Sequence, residues 1–358
     1  MRIAVDCREL RGQHGGFRTN LIGVLKGLSE IDTENEYILF LYDESNINGL
    51  SLPKNRTLKT VPFGRFKCDF GGLAKLIDAE KPDLAYFSAN CSVFGLKTPA
   101  VVMLHDCITL TGEYKTTSRK AKLFQTYSAF MTKRTVPGAK AVTTVSNYSK
   151  SQIQKYIPAA PKIFTAYNAV EAEKAEPAKT DKPYFLALAS VDKRKNTDII
   201  AEAFALSGLK DMKLIVVASH PSARASVSEQ CERMGISGLL EIRTRVSDEE
   251  LRSLYAGAEA FLFPSLDEGF GLPPLEAMAQ GTAVISSDRT SMPEVLGDAA
   301  LYFNPESKEE LAEKMTLIVK DKDLRAGLTA KGFARVKAFS WSESAKEILK
   351  AFEYAAKK

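Results

Sequence analysis

AFLFPSLDEGFGLPPLEAMAQGTAVISSD, residues 260–288, runs from one strand-like stretch through a glycine-rich loop and a helix to a second strand. AFLFPS is apolar without alternation, as a strand buried on both faces of a parallel sheet must be. SLDEGFGLP turns the chain at the carboxyl end of that strand. Pro273 and Pro274 then open a helix where proline lacks no needed hydrogen bond, and Gly281 closes it before AVISSD. Strand, loop, helix and strand in this order make the repeating unit of an α/β sheet.

The same alternation fills the rest of the 358 residues. RIAVDC (2–7), YILFLYD (37–43), LAYFSA (84–89), AVVMLHD (100–106), AVTTVS (141–146) and KIFTAY (162–167) read as strands of one half. YFLALA (184–189), KLIVVAS (213–219), LEIRTRV (240–246), AFLFPS, AVISSD and ALYFNP (300–305) read as strands of the other. Between them GFRTNLIGVLKGLSE and SDEELRSLYAGAE carry apolar residues at helical spacing, and Ser247 with Glu250 forms a capping box. EAEKAEPAKTDKP, residues 171–183, is charged and poor in large apolar residues, which is the composition of a linker. The expectation is an N-terminal doubly wound domain over 1–170, a linker over 171–183 and a second doubly wound domain over 184–340. Each domain would have about six strands, and the carboxyl ends of both sheets would face one central cleft.

Composition narrows the function. With 45% hydrophobic and 26% charged residues the chain reads as a globular protein, and a net charge of +5 does not imply nucleic-acid binding. The five cysteines have no zinc or redox spacing and fit a reducing, cytoplasmic setting. MRIAVDCREL enters a strand directly, without the pattern of a secretory leader, and no apolar run is long enough to cross a bilayer. No cluster of His, Cys or carboxylates suggests a metal, and Asp321 and Asp323, in KDKDLRAGL, read as surface charges. Gly269 and Gly271 imitate a dinucleotide fingerprint, but its third glycine is replaced by Pro274.

Glu268 sits on the loop and Glu276 in the first turn of the following helix, with seven residues between them. Carboxylates accept hydrogen bonds from sugar and ribose hydroxyls, glycines admit a ligand close to the backbone, and a helix start suits a diphosphate. This spacing, in FPSLDEGFGLPPLEAMAQGTAVISSD with VSDEELRSLYAGAEAFLFPS before it and SMPEVLGDAALYFNP after it, resembles the family-4 retaining glycosyltransferases. The resemblance implies the GT-B fold. It gives Glu268 to the donor sugar, Glu276 to the ribose, and the backbone of Gly269, Phe270, Gly271 and Leu272 to the sugar hydroxyls.

ALASVDKRKNTDIIAEAF sets Lys193, Arg194, Lys195 and Asn196 at a strand end, where cations can neutralise a departing diphosphate. It resembles the family's Arg-Lys-Asn motif, which gives Arg194 and Lys195 that role with Ser190 and Asn196 beside them. Ala189 and Ser190 depart from the Gly-Arg of many members. Val246, at the end of LEIRTRV, inherits a backbone contact to the nucleoside base, which stays open among uridine, guanosine and adenosine. In RGQHGGFRTNLIGVL, Gly15 and Gly16 resemble the donor loop of the family or make a plain turn, and Arg18 and Asn20 follow them as residues facing the cleft. His105 and Asp106 end AVVMLHD at a strand's carboxyl end, and the pair resembles the family's active-site histidine, which lies near the sugar's reacting face, whereas most lone histidines are structural. Ser146 and Ser149 read as caps.

From Tyr114 to Lys140 there are seven basic residues and no acidic one, with Leu123, Tyr127, Phe130 and Met131 on one helical face. Two readings stand for residues 115–140: contact with anionic lipid or a phosphate-bearing acceptor, or a helix packed on the core with its charges in water. The resemblance implies metal-independent, retaining transfer of a hexosyl group from a GDP-, UDP- or ADP-sugar to a hydroxyl acceptor, with no bound cofactor. It also implies a helix over 341–358 that crosses back to the first domain. Likeness to polysaccharide-assembling members favours a mannosyl donor, a lipid-linked or growing glycan as acceptor, and a cytoplasmic protein peripheral at the inner membrane face. The alternatives are a related epimerase or phosphorylase, or a non-catalytic nucleotide-sugar-binding subunit.

Overall fold

The structure is a computed structural model and describes residues 1–11, 15–112, 119–218 and 220–357. The chain forms two units, Met1–Ala169 joined by Phe339–Lys358, and Val170–Ala338. The first holds β1 (Arg2–Asp6), β2 (Glu36–Leu41), β3 (Arg56–Thr60), β4 (Leu84–Phe87), β5 (Ala100–Met103), β6 (Ala141–Thr144) and β7 (Ile163–Thr165). Their order across the sheet is β3-β2-β1-β4-β5-β6-β7, all parallel. The second unit holds β8 (Tyr184–Ala189), β9 (Lys213–Ala218), β10 (Leu240–Thr244), β11 (Ala260–Phe263), β12 (Val284–Ser287) and β13 (Ala300–Phe303). Its order is β10-β9-β8-β11-β12-β13, again parallel. Both sheets are therefore doubly wound. The winding reverses beside β1 and β4 in one and beside β8 and β11 in the other, the points at which such sheets bind ligands.

Residues of the central strands β4, β5, β6, β11 and β12 are buried throughout, which accounts for their unbroken apolar runs. The strand missing from the sequence reading is β3. RTLKT is an edge strand with no buried residue, so neither a continuous apolar run nor a clean alternation marks it.

One expected boundary moves, and the C-terminal helix lies where it was expected. Residues 170–183 count with the second unit and not as a free linker. The Gln280 side chain accepts from the Ala175 N–H at 2.9 Å and donates to the Glu173 carbonyl at 2.7 Å, and the Ala178 N–H donates to the Ser253 carbonyl at 2.9 Å. A chain too polar to make a core is thus held by backbone hydrogen bonds. The helix Trp341–Ala356 belongs to the first unit, where its buried face of Trp341, Ala345, Ile348, Ala351 and Phe352 packs on the helix Gly16–Ile31 and the sheet.

Candidate functional site

In the second unit the loops leaving β8 and β11 meet at the winding reversal. After β8 the chain makes one tight turn, Lys193–Lys195, capped by Asp192, whose carboxylate accepts from the Arg194 N–H at 3.0 Å. Asn196 ends the turn in the left-handed region at φ 51°, a conformation asparagine tolerates. Its amide donates to the carbonyls of Pro305 at 2.8 Å and Pro264 at 3.3 Å. The two loops are stitched by the Leu266 N–H donating to the Arg194 carbonyl at 2.8 Å.

These contacts aim two cations at one carboxylate. Lys195 Nζ lies 2.6 Å from Glu268 Oε1 and Arg194 Nη1 lies 3.0 Å from Glu268 Oε2. Ser265 Oγ donates to Glu268 Oε1 at 2.7 Å, and Arg194 also donates to the Asp267 carbonyl. Glu268 is buried, and burial alone would raise its pKa. Lys195 and Arg194 outweigh burial and hold the carboxyl below its usual range, so Glu268 is anionic at neutral pH. An anion held by two cations beside glycine-rich backbone can accept hydroxyls while the cations receive a second anion.

Gly271 adopts φ 88° and caps the helix Leu272–Ala279, with Pro273 and Pro274 in its first turn as the sequence predicts. The positive φ at Gly271 favours glycine, and a Cβ there would also displace the end of the Met292 side chain. Glu276 is the fifth residue of that helix, beyond the first turn where the sequence reading placed it. Burial raises its pKa, the Tyr255 hydroxyl at 3.4 Å opposes the rise, and Asp248 adds to it. Phe270 is buried, while Gly269 and Leu272 are partly exposed. Ser190 accepts from the Asp192 N–H at 3.2 Å, and Val246 follows β10 at the carboxyl edge of the same sheet. Asp321 caps the helix Lys322–Lys337. Among the described residues no group of three or more His, Cys, Asp or Glu could hold a metal ion.

The first unit carries the other expected residues. Gly15 caps the helix Gly16–Ile31 at φ 137°, so Gly16 opens the helix and is not a loop residue, and Arg18 lies in its first turn. Gly12, Gln13 and His14 of the expected glycine loop lie outside the described residues. Asn20 is fully buried and donates to Asn168 Oδ1 at 2.7 Å, which removes it from the ligand-facing set. Asp106 accepts from the Ile108 N–H at 3.0 Å, just before the short helix Ile108–Thr111. Ser146 caps the helix Asn147–Tyr156, and Ser149 donates to the His105 carbonyl at 2.9 Å.

His105 is buried, with its ring 4.6 Å from that of Phe17 and Nε2 2.9 Å from the Ser88 carbonyl. That carbonyl can only accept, so Nε2 carries the hydrogen. Burial lowers the pKa to about 4 against the opposing pull of Ser88, and the imidazole is neutral at pH 7. As the pH falls below the ordinary imidazole value of about 6.5, the unfolded chain takes the proton before the folded one does. Stability should therefore drop between about pH 6.5 and pH 4, by on the order of 3 kcal/mol from this residue. Urea midpoints at pH 7 and 4.5 check this, and His105→Gln should show a smaller drop than the parent. An equal drop in both proteins would place the loss elsewhere.

Ser265, Asp192 and Tyr255 support the charged residues, and sequence reasoning passed over all three. Asp192 stood within the quoted motif and next to its cations, which was a usable signal. Tyr255 and Glu276 are 21 residues apart, and no local pattern joins them.

Residues 169–335 match the family model of glycosyl transferases group 1, and residues 34–174 match that of glycosyltransferase family 4. Over 231 residues the chain is 30% identical to the O-antigen chain mannosyltransferase B of Escherichia coli, covering 60% of this chain and 61% of that one. Over 191 residues it is 35% identical to the O-antigen chain mannosyltransferase RfbU of Salmonella typhimurium, covering 51% and 52%. The chain thus spans less than two thirds of the length of either relative. Sucrose-phosphate synthase from Thermosynechococcus elongatus superposes with a TM-score of 0.78 at 16% identity, over 99% of this chain and 98% of that one. At that identity the likeness shows the fold, which is the GT-B class that the sequence resembles.

Proposed function

Because the chain belongs to the group 1 glycosyltransferases, we propose that it transfers a hexosyl group, with mannosyl favoured, from a nucleoside-diphospho-sugar to a hydroxyl of a glycan or lipid-linked glycan. The observation that carries this reading is the pairing of Arg194 and Lys195 with Glu268 at the β8–β11 winding reversal. Cations at that point suit a diphosphate and the carboxylate suits a sugar hydroxyl, while Glu276 suits the ribose. The O-antigen mannosyltransferase relatives supply the preference for mannose and for a glycan acceptor.

In the proposed reaction the bond between the anomeric carbon and the diphosphate oxygen breaks, and the acceptor hydroxyl bonds to that carbon from the same face. The hydroxyl proton passes to the departing phosphate oxygen, so configuration is retained without a covalent enzyme intermediate. Arg194 and Lys195 stabilise the charge that develops on the diphosphate, the part a metal ion plays in other enzymes, and Glu268 orients the sugar. A panel of GDP-, UDP- and ADP-sugars tests the donor. A ligand at about a hundred times its dissociation constant should raise the melting temperature by roughly 5–10 °C. No shift with any of them would overturn the reading.

The acceptor side of the proposal includes contact with an anionic membrane through residues 115–140. Lys115 lies outside the described residues. In the helix Arg119–Thr135, Met131 is buried but Leu123 is 72% and Phe124 54% exposed, among the exposed cations Arg119, Lys120 and Lys122. The packed-helix alternative accounts for Met131 and for Tyr127, which bonds to Asp69, but leaves Leu123 exposed and Phe124 covered only by the Arg65 guanidinium, which favours the lipid reading. No helix among the described residues is long and apolar enough to cross a membrane. Co-sedimentation should show binding to phosphatidylglycerol vesicles that weakens with salt and with Leu123→Glu. Equal recovery with neutral phosphatidylcholine vesicles would remove this contact.

A further inference from the structure

We propose that Thr290 and Ser291, on the segment after β12, are positioning residues that clamp the backbone of Glu268, and that Thr290 holds a strained conformation to do so. The Glu268 N–H donates to Thr290 Oγ1 at 3.1 Å, and Ser291 Oγ donates to the Glu268 carbonyl at 2.8 Å. Two consecutive hydroxyls therefore grip the residue on both sides of its Cα. The next residue, Met292, fills the space that a Cβ at Gly271 would need. At the end of β12, Ser287 Oγ donates to the Ser265 carbonyl at 2.6 Å, and Ser265 holds the Glu268 carboxylate. Residues 287–292 thus touch the Glu268 loop at its start, centre and end.

The strain is local and visible. Thr290 has φ 58°, and it is the one β-branched residue among the five non-glycine residues with positive φ that the described chain contains. A β-branched side chain is poorly tolerated there, because both substituents on Cβ crowd the backbone. Strain of this kind persists where the surroundings fix it and tends to gather at functional sites. Here the observable return is one hydrogen bond, from the Glu268 N–H to Thr290 Oγ1, at the residue proposed to orient the sugar. Ser291 is fully buried, so the second half of the clamp is shielded from water.

The proposal rests on the reading of Glu268 as the sugar contact, and four variants separate the two ideas. Thr290→Gly removes the hydroxyl and the strain together. It should melt at or above the parental temperature while kcat falls about 10–100-fold, because a small displacement of a positioned group costs that much. Its affinity for the nucleoside diphosphate should stay within about twofold of the parent, since Arg194 and Lys195 are not touched. Thr290→Ser keeps the hydroxyl and should restore kcat to within about twofold. Thr290→Val keeps the branching without the hydroxyl and should lose both stability and kcat. A purely structural role would make activity follow the melting temperature across the series, and that result overturns the clamp. So does a Thr290→Gly protein with parental kcat. If Glu268→Ala itself transfers at the parental rate, the assignment of Glu268 fails first; if Glu268→Ala is inactive while the Thr290 series is flat, the clamp alone is wrong.

Discussion

Glu268→Gln should lower kcat/KM for transfer by about 10²–10³-fold, while nucleoside diphosphate binds as tightly as before or more tightly. The two effects part because the proposed function gives the carboxylate two roles. It neutralises Lys195 and Arg194 at 2.6 and 3.0 Å, and under the proposed function an incoming diphosphate would compete for the same cations. A neutral amide gives up that competition. It also replaces a charged acceptor with a weaker one at the place proposed for the sugar. Isothermal titration with the nucleoside diphosphate and initial rates with the full donor would read the two separately. Weaker diphosphate binding in Glu268→Gln would mean that the carboxylate belongs to the phosphate subsite. Parental transfer would mean that it is a structural ion pair.

The charge pattern of that site was legible because it is local. Glu268 and Glu276 lie within one loop and helix, Arg194 and Lys195 within one turn, and glycine and proline mark where each element begins and ends. The central strands were legible for a related reason: burial on both faces leaves an unbroken apolar run. Contacts made across distance left no trace. Asn20 looks like a ligand-facing polar residue until its partner, Asn168, is found 148 residues away. Thr290 looks ordinary in sequence, since its φ and its bond to Glu268 come from the way the loops after β11 and β12 meet. Edge strand β3 failed for want of burial. The 171–183 segment was misjudged because backbone hydrogen bonds, which composition does not record, hold it to the second unit.

Gly27→Ala should destabilise the first unit by about 3 kcal/mol, although alanine is the better helix former by up to about 1 kcal/mol. Gly23 and Gly27 lie one turn apart on the helix Gly16–Ile31, and both are buried against the start of the helix Trp341–Ala356. A Cβ on Gly27 would overlap the Trp341 carbonyl, which is backbone and cannot turn aside. A Cβ on Gly23 would overlap the rigid, buried Trp341 indole, so Gly23→Ala should be destabilising too. Trp341 is the single tryptophan of the chain and is buried, which makes its emission a direct report on this packing. In Gly27→Ala the emission should move to longer wavelength in native buffer, and the urea midpoint should fall. Gly327 supplies the control: it lies in the helix Lys322–Lys337 with open space where its Cβ would be, so Gly327→Ala should raise stability by up to about 1 kcal/mol. A stabilising Gly27→Ala, on the pattern of Gly327→Ala, would show that the C-terminal helix does not pack on Gly16–Ile31. The face of Ala345, Ile348, Ala351 and Phe352 would then have no apolar cover from that helix, at odds with its burial.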